Sequence, residues 1–135
     1  MVDAASSARI LLEQDPASLM LGITIVQAKG GFCQLSMAVR DDMTNGYDVC
    51  HGGFIFTLAD TAVAFACADT DKIAVSASSQ IDFLASAKRK DTLTATAGIT
   101  HQSGRNCYCD IKVENQYGEV IALVRGRQVL LEKKA

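Results

Sequence analysis

From Phe54 to Ala68 the chain reads FIFTLADTAVAFACA, apolar or small at every position except Thr57, Asp60 and Thr61. The stretch predicts a helix that begins near His51 or Gly52 and ends near Asp69-Thr70-Asp71. A helix that is apolar nearly all round does not lie on a protein surface, so another layer must cover it. The sequence supplies that layer directly afterwards, as four strand-like runs at 73–83, 92–101, 107–114 and 120–131. In the first run Ile73, Val75, Ala77, Ile81 and Phe83 keep period two, which sets Ser76 on the face opposite Val75 and Ala77. The second alternates Leu93, Ala95, Ala97 and Ile99 with polar residues, and the third alternates Cys107, Cys109, Ile111 and Val113 with charged or aromatic residues. The fourth is apolar on both parities until its end, so deeper cover is expected there. Turn signals at 88–91, 103–106 and 116–119 separate the runs. Helix and strands are segregated rather than alternating, which predicts an α+β fold with one curved antiparallel sheet wrapped around a long central helix.

The remainder fits the same plan. Residues 1–20 form a short N-terminal helical segment broken at Asp15-Pro16, with Asp15 capping a second turn that Pro16 starts. A hairpin follows: Ile23 to Gln27, a turn through Gly30-Gly31, then Phe32 to Val39 with Cys33, Leu35, Met37 and Val39 on one face. Residues 41–49 are a polar loop. No composition shift marks a linker, so 1–135 is expected to be one domain.

Charge and cysteine usage narrow the function classes. Net charge is −2 with mixed signs, so the chain has no broad basic field for nucleic acid. Five cysteines are an odd number, and Asp3, Arg9 and Glu13 interrupt any secretory leader. A reduced thiol set in the cytoplasm is expected. No run reaches the roughly 18 apolar residues that a membrane span requires.

Asp60 is the anomaly in the helix. Taking an ionised carboxylate out of water without partners costs several kcal/mol. The residue therefore faces a crevice, pairs with the sheet, or is kept for chemistry. Gly52-Gly53 at the helix start favours chemistry. Small residues there let a ligand approach, and first-turn N–H groups lack intrahelical partners. Such groups stabilise a carbonyl oxygen that is becoming an oxyanion. A carboxylate base and an oxyanion donor are the parts that acyl hydrolysis needs. Gly52 and Asp60 are separated by eight positions, which is roughly 12 Å along a helix axis and about 80° past two full turns. One carbonyl carbon cannot lie next to both. If the two act on one substrate they come from two chains, as antiparallel helices of a symmetric dimer would allow.

The segment NGYDVCHGGFIFTLADTAVAFAC resembles the signature of the phenylacetate-degradation (PaaI-type) thioesterases of the hotdog fold. The shared elements are Asn45, His51-Gly52-Gly53 and Leu58-Ala59-Asp60, and the likeness continues through QIDFLASA (80–87), DTLTATA (91–97) and ALVRGR (122–127). The resemblance implies a dimer that pairs sheets edge to edge as the minimal active unit, a tetramer of two such dimers, and active sites at the dimer interface. It implies that the Gly52 N–H polarises a thioester carbonyl and that Asp60 of the other chain is the catalytic carboxylate. Asn45 and His51 would position the carbonyl, water or thiol end. Ser76 aligns with a serine or threonine that assists the carboxylate. The implied reaction is hydrolysis of an acyl-CoA, with phenylacetyl and ring-hydroxylated phenylacetyl groups as the acyl part. No metal or redox cofactor is implied. Asp60 acts as general base or as nucleophile; the residues leave both open.

Other features have plainer readings. Lys88, Arg89 and Arg105 are turn residues, either solvated or holding CoA phosphates. Arg125 and Arg127 share a strand face and join that surface or pair with acids across the sheet. Asp82 is expected to pair with a Lys or Arg, and His101 to be structural. Cys50-His51 is not expected to form a nucleophilic pair, because adjacent side chains at a helix start diverge. Cys107 and Cys109 are expected to pack in the core, since zinc would need two further ligands. Two rivals to hydrolysis remain, a hotdog hydratase–dehydratase using His51 and Asp60 on an enoyl-CoA, and a non-catalytic acyl-CoA binder.

Overall fold

Asp15 ends one helix and starts the next. In the computed structural model, which describes residues 4–68 and 71–133, α1 (Ala4–Glu13) is followed by α2 (Pro16–Met20). The Asp15 carboxylate accepts from Ser18 N–H at 3.0 Å and from Ser18 Oγ at 2.7 Å, capping α2 as the sequence predicts. The hairpin β1 (Thr24–Lys29) and β2 (Phe32–Ala38) turns at Gly30-Gly31, where Gly31 takes φ +76°. A 3₁₀ turn (Asp41–Met43) leads to α3 (Gly52–Cys67), then β3 (Lys72–Phe83), β4 (Thr92–Ser103), β5 (Asn106–Glu114) and β6 (Val120–Glu132). The six strands form one antiparallel sheet in the order β1-β2-β4-β5-β6-β3.

The buried face of α3 is Ile55, Leu58, Ala59, Ala62, Val63, Ala66 and Cys67. It meets the inner faces of β2, β4, β5 and β6, among them Leu35, Met37, Leu93, Ala95 and Val113, in one apolar cluster. A Cβ on Gly126 of β6 would stand 3.3 Å from Val63 Cγ2, so the bare backbone lets the helix approach the sheet closely. α3 stops at Cys67; Asp69 and Thr70, where the helix end was expected, lie outside the described residues.

The sheet wraps over α3 as expected without closing on itself, and Thr57, Asp60, Thr61 and Ala64 stay half-buried. The two threonines satisfy their hydroxyls along the helix, Thr57 Oγ1 to Gly53 O at 2.8 Å and Thr61 Oγ1 to Thr57 O at 2.7 Å. Two expectations about burial are corrected. Beyond the buried Ile121, the odd face of β6 is largely open, with Leu123 and Leu131 exposed. Finally, β3 has the opposite parity at its start. Ile73 and Val75 are 41% and 46% exposed, while Ala74 packs against the core and Ser76 bonds to the helix. A bulge sets Ser76 opposite Gln128 but Ser78 opposite Arg127, leaving Ala77 as the extra residue. The face therefore switches within the strand; only Ile81 and Phe83 follow the expected register, and Phe83 is still 51% exposed.

Candidate active site

His51 organises the tip of α3. It is the N-cap, with extended backbone, and its own N–H donates to Met43 O at 2.8 Å. Its Nδ1 accepts the Gly53 N–H at 2.9 Å, and its carbonyl accepts the Phe54 N–H at 3.0 Å. An accepting Nδ1 places the proton of the neutral ring on Nε2. Gly52 N–H is then the first-turn donor that makes no hydrogen bond among the described residues. Any Cβ at Gly52 would lie 2.9 Å from Phe83 Cζ, so the ring rests directly on the glycine. A Cβ at Gly53 would crowd His51 Nδ1 at 3.1 Å. The glycines thus have separate reasons: one makes room for a ring, the other for the cap.

Asn45 lies next to this tip, in a loop tied to the helix start by a bridge between Thr44 and Cys50. Its Oδ1 accepts Tyr47 N–H at 2.9 Å and Val49 N–H at 3.4 Å. Those two donors fix the amide orientation and leave Nδ2 without a hydrogen bond among the described residues.

Asp60 belongs to a second cluster. Ser76 Oγ donates to Asp60 Oδ1 at 2.8 Å, and Gln128 Nε2 donates to Ser76 Oγ at 3.0 Å. Asp60 Oδ2 makes no hydrogen bond among the described residues. Gln128 was not picked out in the sequence. The signal was available: in Ala122, Val124, Gly126, Gln128, Leu130 it is the polar member of an otherwise apolar inward series. The residues predicted for the site thus fall into two groups: Asn45, His51, Gly52 and Gly53 at the helix tip, and Asp60 with Ser76 eight positions along.

The predicted phosphate-binding cations are not gathered in one chain. Arg89 donates to Asp48 Oδ1 through Nε at 2.8 Å and also through Nη2, and pairs with Asp41 at 3.2 Å. The hydrogen bond to Asp48 holds its guanidinium above the usual arginine pKa range. Lys88 is exposed between β3 and β4, where its N–H donates to Asp91. Arg105 is exposed in the β4–β5 turn, where its carbonyl accepts Leu130 N–H at 2.7 Å. Arg125 pairs with Asp110 at 2.8 Å, which holds the Asp110 carboxyl below its ordinary range, and Arg127 bonds Asn106 and Ser78. Asp82 has no ion pair among the described residues, contrary to expectation. His101 is exposed and leans on Tyr108.

The thiols are core groups. All five cysteines are free and buried. Burial pushes the Cys50 thiol up to about 11, and its Sγ lies 3.6 Å from the His51 carbonyl rather than on the imidazole, so no thiolate–imidazole pair forms. Cys67 at the end of α3 meets Cys107 and Cys109, with Sγ–Sγ distances of 2.7 Å and 3.4 Å. Hydrogen bonding to Cys109, then burial, raises the Cys67 thiol. The three are 6% exposed or less, a packed seam between helix and sheet.

Comparison with known proteins gives a consistent answer. Residues 47–122 match the model of the thioesterase superfamily. The chain is 41% identical over 124 residues to the acyl-coenzyme A thioesterase PaaI of Escherichia coli, covering 92% of this chain and 89% of that protein. The structure of the E. coli PaaI protein from the phenylacetic acid degradation operon superposes with a TM-score of 0.93 at 39% identity, over 97% of this chain and 95% of that one. A Streptococcus mutans protein solved with acetyl CoA bound superposes with a TM-score of 0.79 at 28% identity, over 84% and 91%. A family match over more than half the chain and an identity of this size leave one conclusion: the chain belongs to the thioesterase superfamily and is built on its hotdog fold.

Proposed function

We propose that the chain hydrolyses aryl-acetyl-CoA thioesters, phenylacetyl-CoA or its ring-hydroxylated forms, to the free acid and CoA. The observation that carries this reading is the pairing of two unbonded polar groups on one helix. Gly52 N–H is open at the tip, and Asp60 has one oxygen held by Ser76 and the other unbonded. The acyl group proposed is that of the related E. coli protein's operon.

In this mechanism the thioester oxygen sits against Gly52 N–H, with Asn45 Nδ2 as a second donor. Both strengthen as the oxygen becomes an oxyanion. Asp60 Oδ2 takes a proton from water as the water oxygen attacks the carbonyl carbon. The C–S bond then breaks, and the proton returns from Asp60 to the departing CoA sulfur. His51 Nε2–H is the third polar group at the tip and would orient the thiol end. Gly53, whose missing side chain leaves room for the His51 cap, is the position at the tip where the substrate would pass. The steps call only on water and protein groups.

At about 12 Å along the axis, the donor and the carboxylate of one helix cannot share a carbonyl. The active unit is therefore a dimer in which the tip of one α3 faces Asp60 of the other, and two dimers make the proposed tetramer. The free edge of β3, with Ile73 and Val75 exposed beside it, supports edge-to-edge pairing. Lys88 and Arg105 are the cations left to hold CoA phosphates. The compartment proposed is the cytoplasm; among the described residues no helix is long and apolar enough to cross a membrane.

The test is a panel of aryl, short-chain and long-chain acyl-CoA thioesters assayed by free thiol, with Asp60→Asn alongside. Thiol release from phenylacetyl-CoA is expected to fall at least about 10³-fold in the variant while its circular dichroism is unchanged. Undiminished release by Asp60→Asn overturns the proposal. Water addition to an enoyl-CoA with no thiol release would identify a hydratase instead, and CoA binding without turnover of any thioester a binder.

A further inference from the structure

We propose that Gln128 is a positioning residue for the Asp60 carboxylate, acting through the Ser76 hydroxyl. The inference rests on the reading of Asp60 as the catalytic group. Gln128 is fully buried on β6, opposite Ser76 on one side and Cys107 on the other. Its Nε2 donates to Ser76 Oγ at 3.0 Å, and Ser76 Oγ donates to Asp60 Oδ1 at 2.8 Å.

The direction of these bonds matters more than their number. A serine hydroxyl has one proton and two lone pairs. The amide N–H of Gln128 occupies a lone pair, so the single Ser76 proton is directed to the carboxylate. Turned over, the amide would present Oε1 to Ser76 and compete with Asp60 for that proton. The orientation in the structure leaves Oε1 buried with no partner. An orphaned buried carbonyl lowers stability. A methionine would fill similar space without that penalty, so packing alone does not account for the amide. What the amide does is fix which way Ser76 points, and thereby hold Oδ1 while Oδ2 stays open to water.

Gln128→Met separates the two accounts. Loss of one aligning hydrogen bond is expected to lower kcat roughly 3- to 10-fold with KM changed less than about twofold. The thermal midpoint is expected to stay level or rise, because the orphan oxygen goes too. In a Ser76→Ala background the same substitution is expected to lower kcat no further. If Gln128→Met does not fold, Gln128→Leu takes its place under the same criteria. An unchanged kcat, an equal fall of kcat in both backgrounds, or a thermal midpoint that drops with the activity would each overturn the proposal. With Asp60→Asn measured in parallel, an inactive Asp60→Asn beside a wild-type Gln128→Met removes the Gln128 role alone. An active Asp60→Asn removes both.

Discussion

In the loop Asn45-Gly46-Tyr47-Asp48-Val49 and in the loop Asn115-Gln116-Tyr117-Gly118-Glu119, an asparagine folds the backbone over its own side chain. Each Oδ1 accepts two backbone N–H groups, from Tyr47 and Val49 in the first and from Tyr117 and Glu119 in the second. Each asparagine N–H closes the loop on the fifth residue's carbonyl, at 2.8 Å and 3.0 Å. Each fourth residue has positive φ, +64° at Asp48 and +77° at Gly118. Even the clamps come from one region, the β3–β4 connection and the first residue of β4: Arg89 holds Asp48, and Asp91 with Thr92 holds Gln116. The loops part at one atom. Asn115 Nδ2 donates to Glu119 at 3.2 Å, whereas the fifth residue of the first loop is Val49 and Asn45 Nδ2 is left open beside the helix tip. The turn and the proposed oxyanion donor are therefore not competing explanations of Asn45, because they use different ends of one amide.

Aspartate in place of each asparagine breaks the comparison most sharply, since a carboxylate keeps the accepting oxygen and removes the N–H. Asn45→Asp is expected to lower kcat/KM about 10²-fold, the scale of losing an oxyanion donor, with little change in thermal midpoint. Asn115→Asp is expected to leave kcat/KM within about twofold and to lower the midpoint slightly, because it sets a like charge beside Glu119. Steady-state kinetics and thermal melts on the two purified variants decide it. Equal effects on activity would mean that Asn45 serves only the turn.

The contrast also explains what the sequence makes legible. Central helix, strand count and antiparallel sheet follow from apolar period, turn residues and the segregation of helix from strands, which are local, whereas the strand order, with β3 beside β6 and β2 beside β4, does not. The tip of the site follows from glycines at a helix start, again local. Ser76 is where locality ends. Period two carried Ile73 and Val75 inward and Ser76 outward, and one unpaired residue, Ala77, reversed that face. A bulge is set by the pairing of β3 with β6, so a single strand's pattern does not announce it. The same applies to Arg89, whose charge reads as phosphate-binding until the fold brings Asp41 and Asp48 to it.

Arg89 gives the next test. If it acts as a clamp, Arg89→Met loosens the loop that carries Asn45. The expected result is a fall in kcat of several-fold, a KM for the CoA thioester within about threefold, and little change in the thermal midpoint. A cation bound to a CoA phosphate would behave the other way, raising KM with kcat preserved. Desulfo-CoA inhibition measured on the same variant checks the assignment, since a clamp leaves its inhibition constant nearly unchanged.

The smallest effect isolates the turn itself. A non-glycine residue at positive φ is strained by about 1 kcal/mol or more, though Asp tolerates it better than most. Asp48 accepts that strain and presents its carboxylate to Arg89, while Gly118 has no side chain to present. Exchanging the residues should therefore be asymmetric. Gly118→Asp brings the strain with no guanidinium bonded to its loop among the described residues, and about 1 kcal/mol of stability should be lost in urea unfolding. Asp48→Gly relieves strain but raises the entropy of the unfolded chain and leaves Arg89 paired with Asp41 alone, so opposing contributions should leave stability within about 0.5 kcal/mol of the wild type. Its signature should appear in kcat, reduced in the same direction as Arg89→Met, because both cut the Arg89–Asp48 contact between the connection and the Asn45 loop's fourth residue. A kcat equal to the wild type would show that the Asn45 loop keeps its donor in place through the Asx turn alone, with no contribution from the clamp.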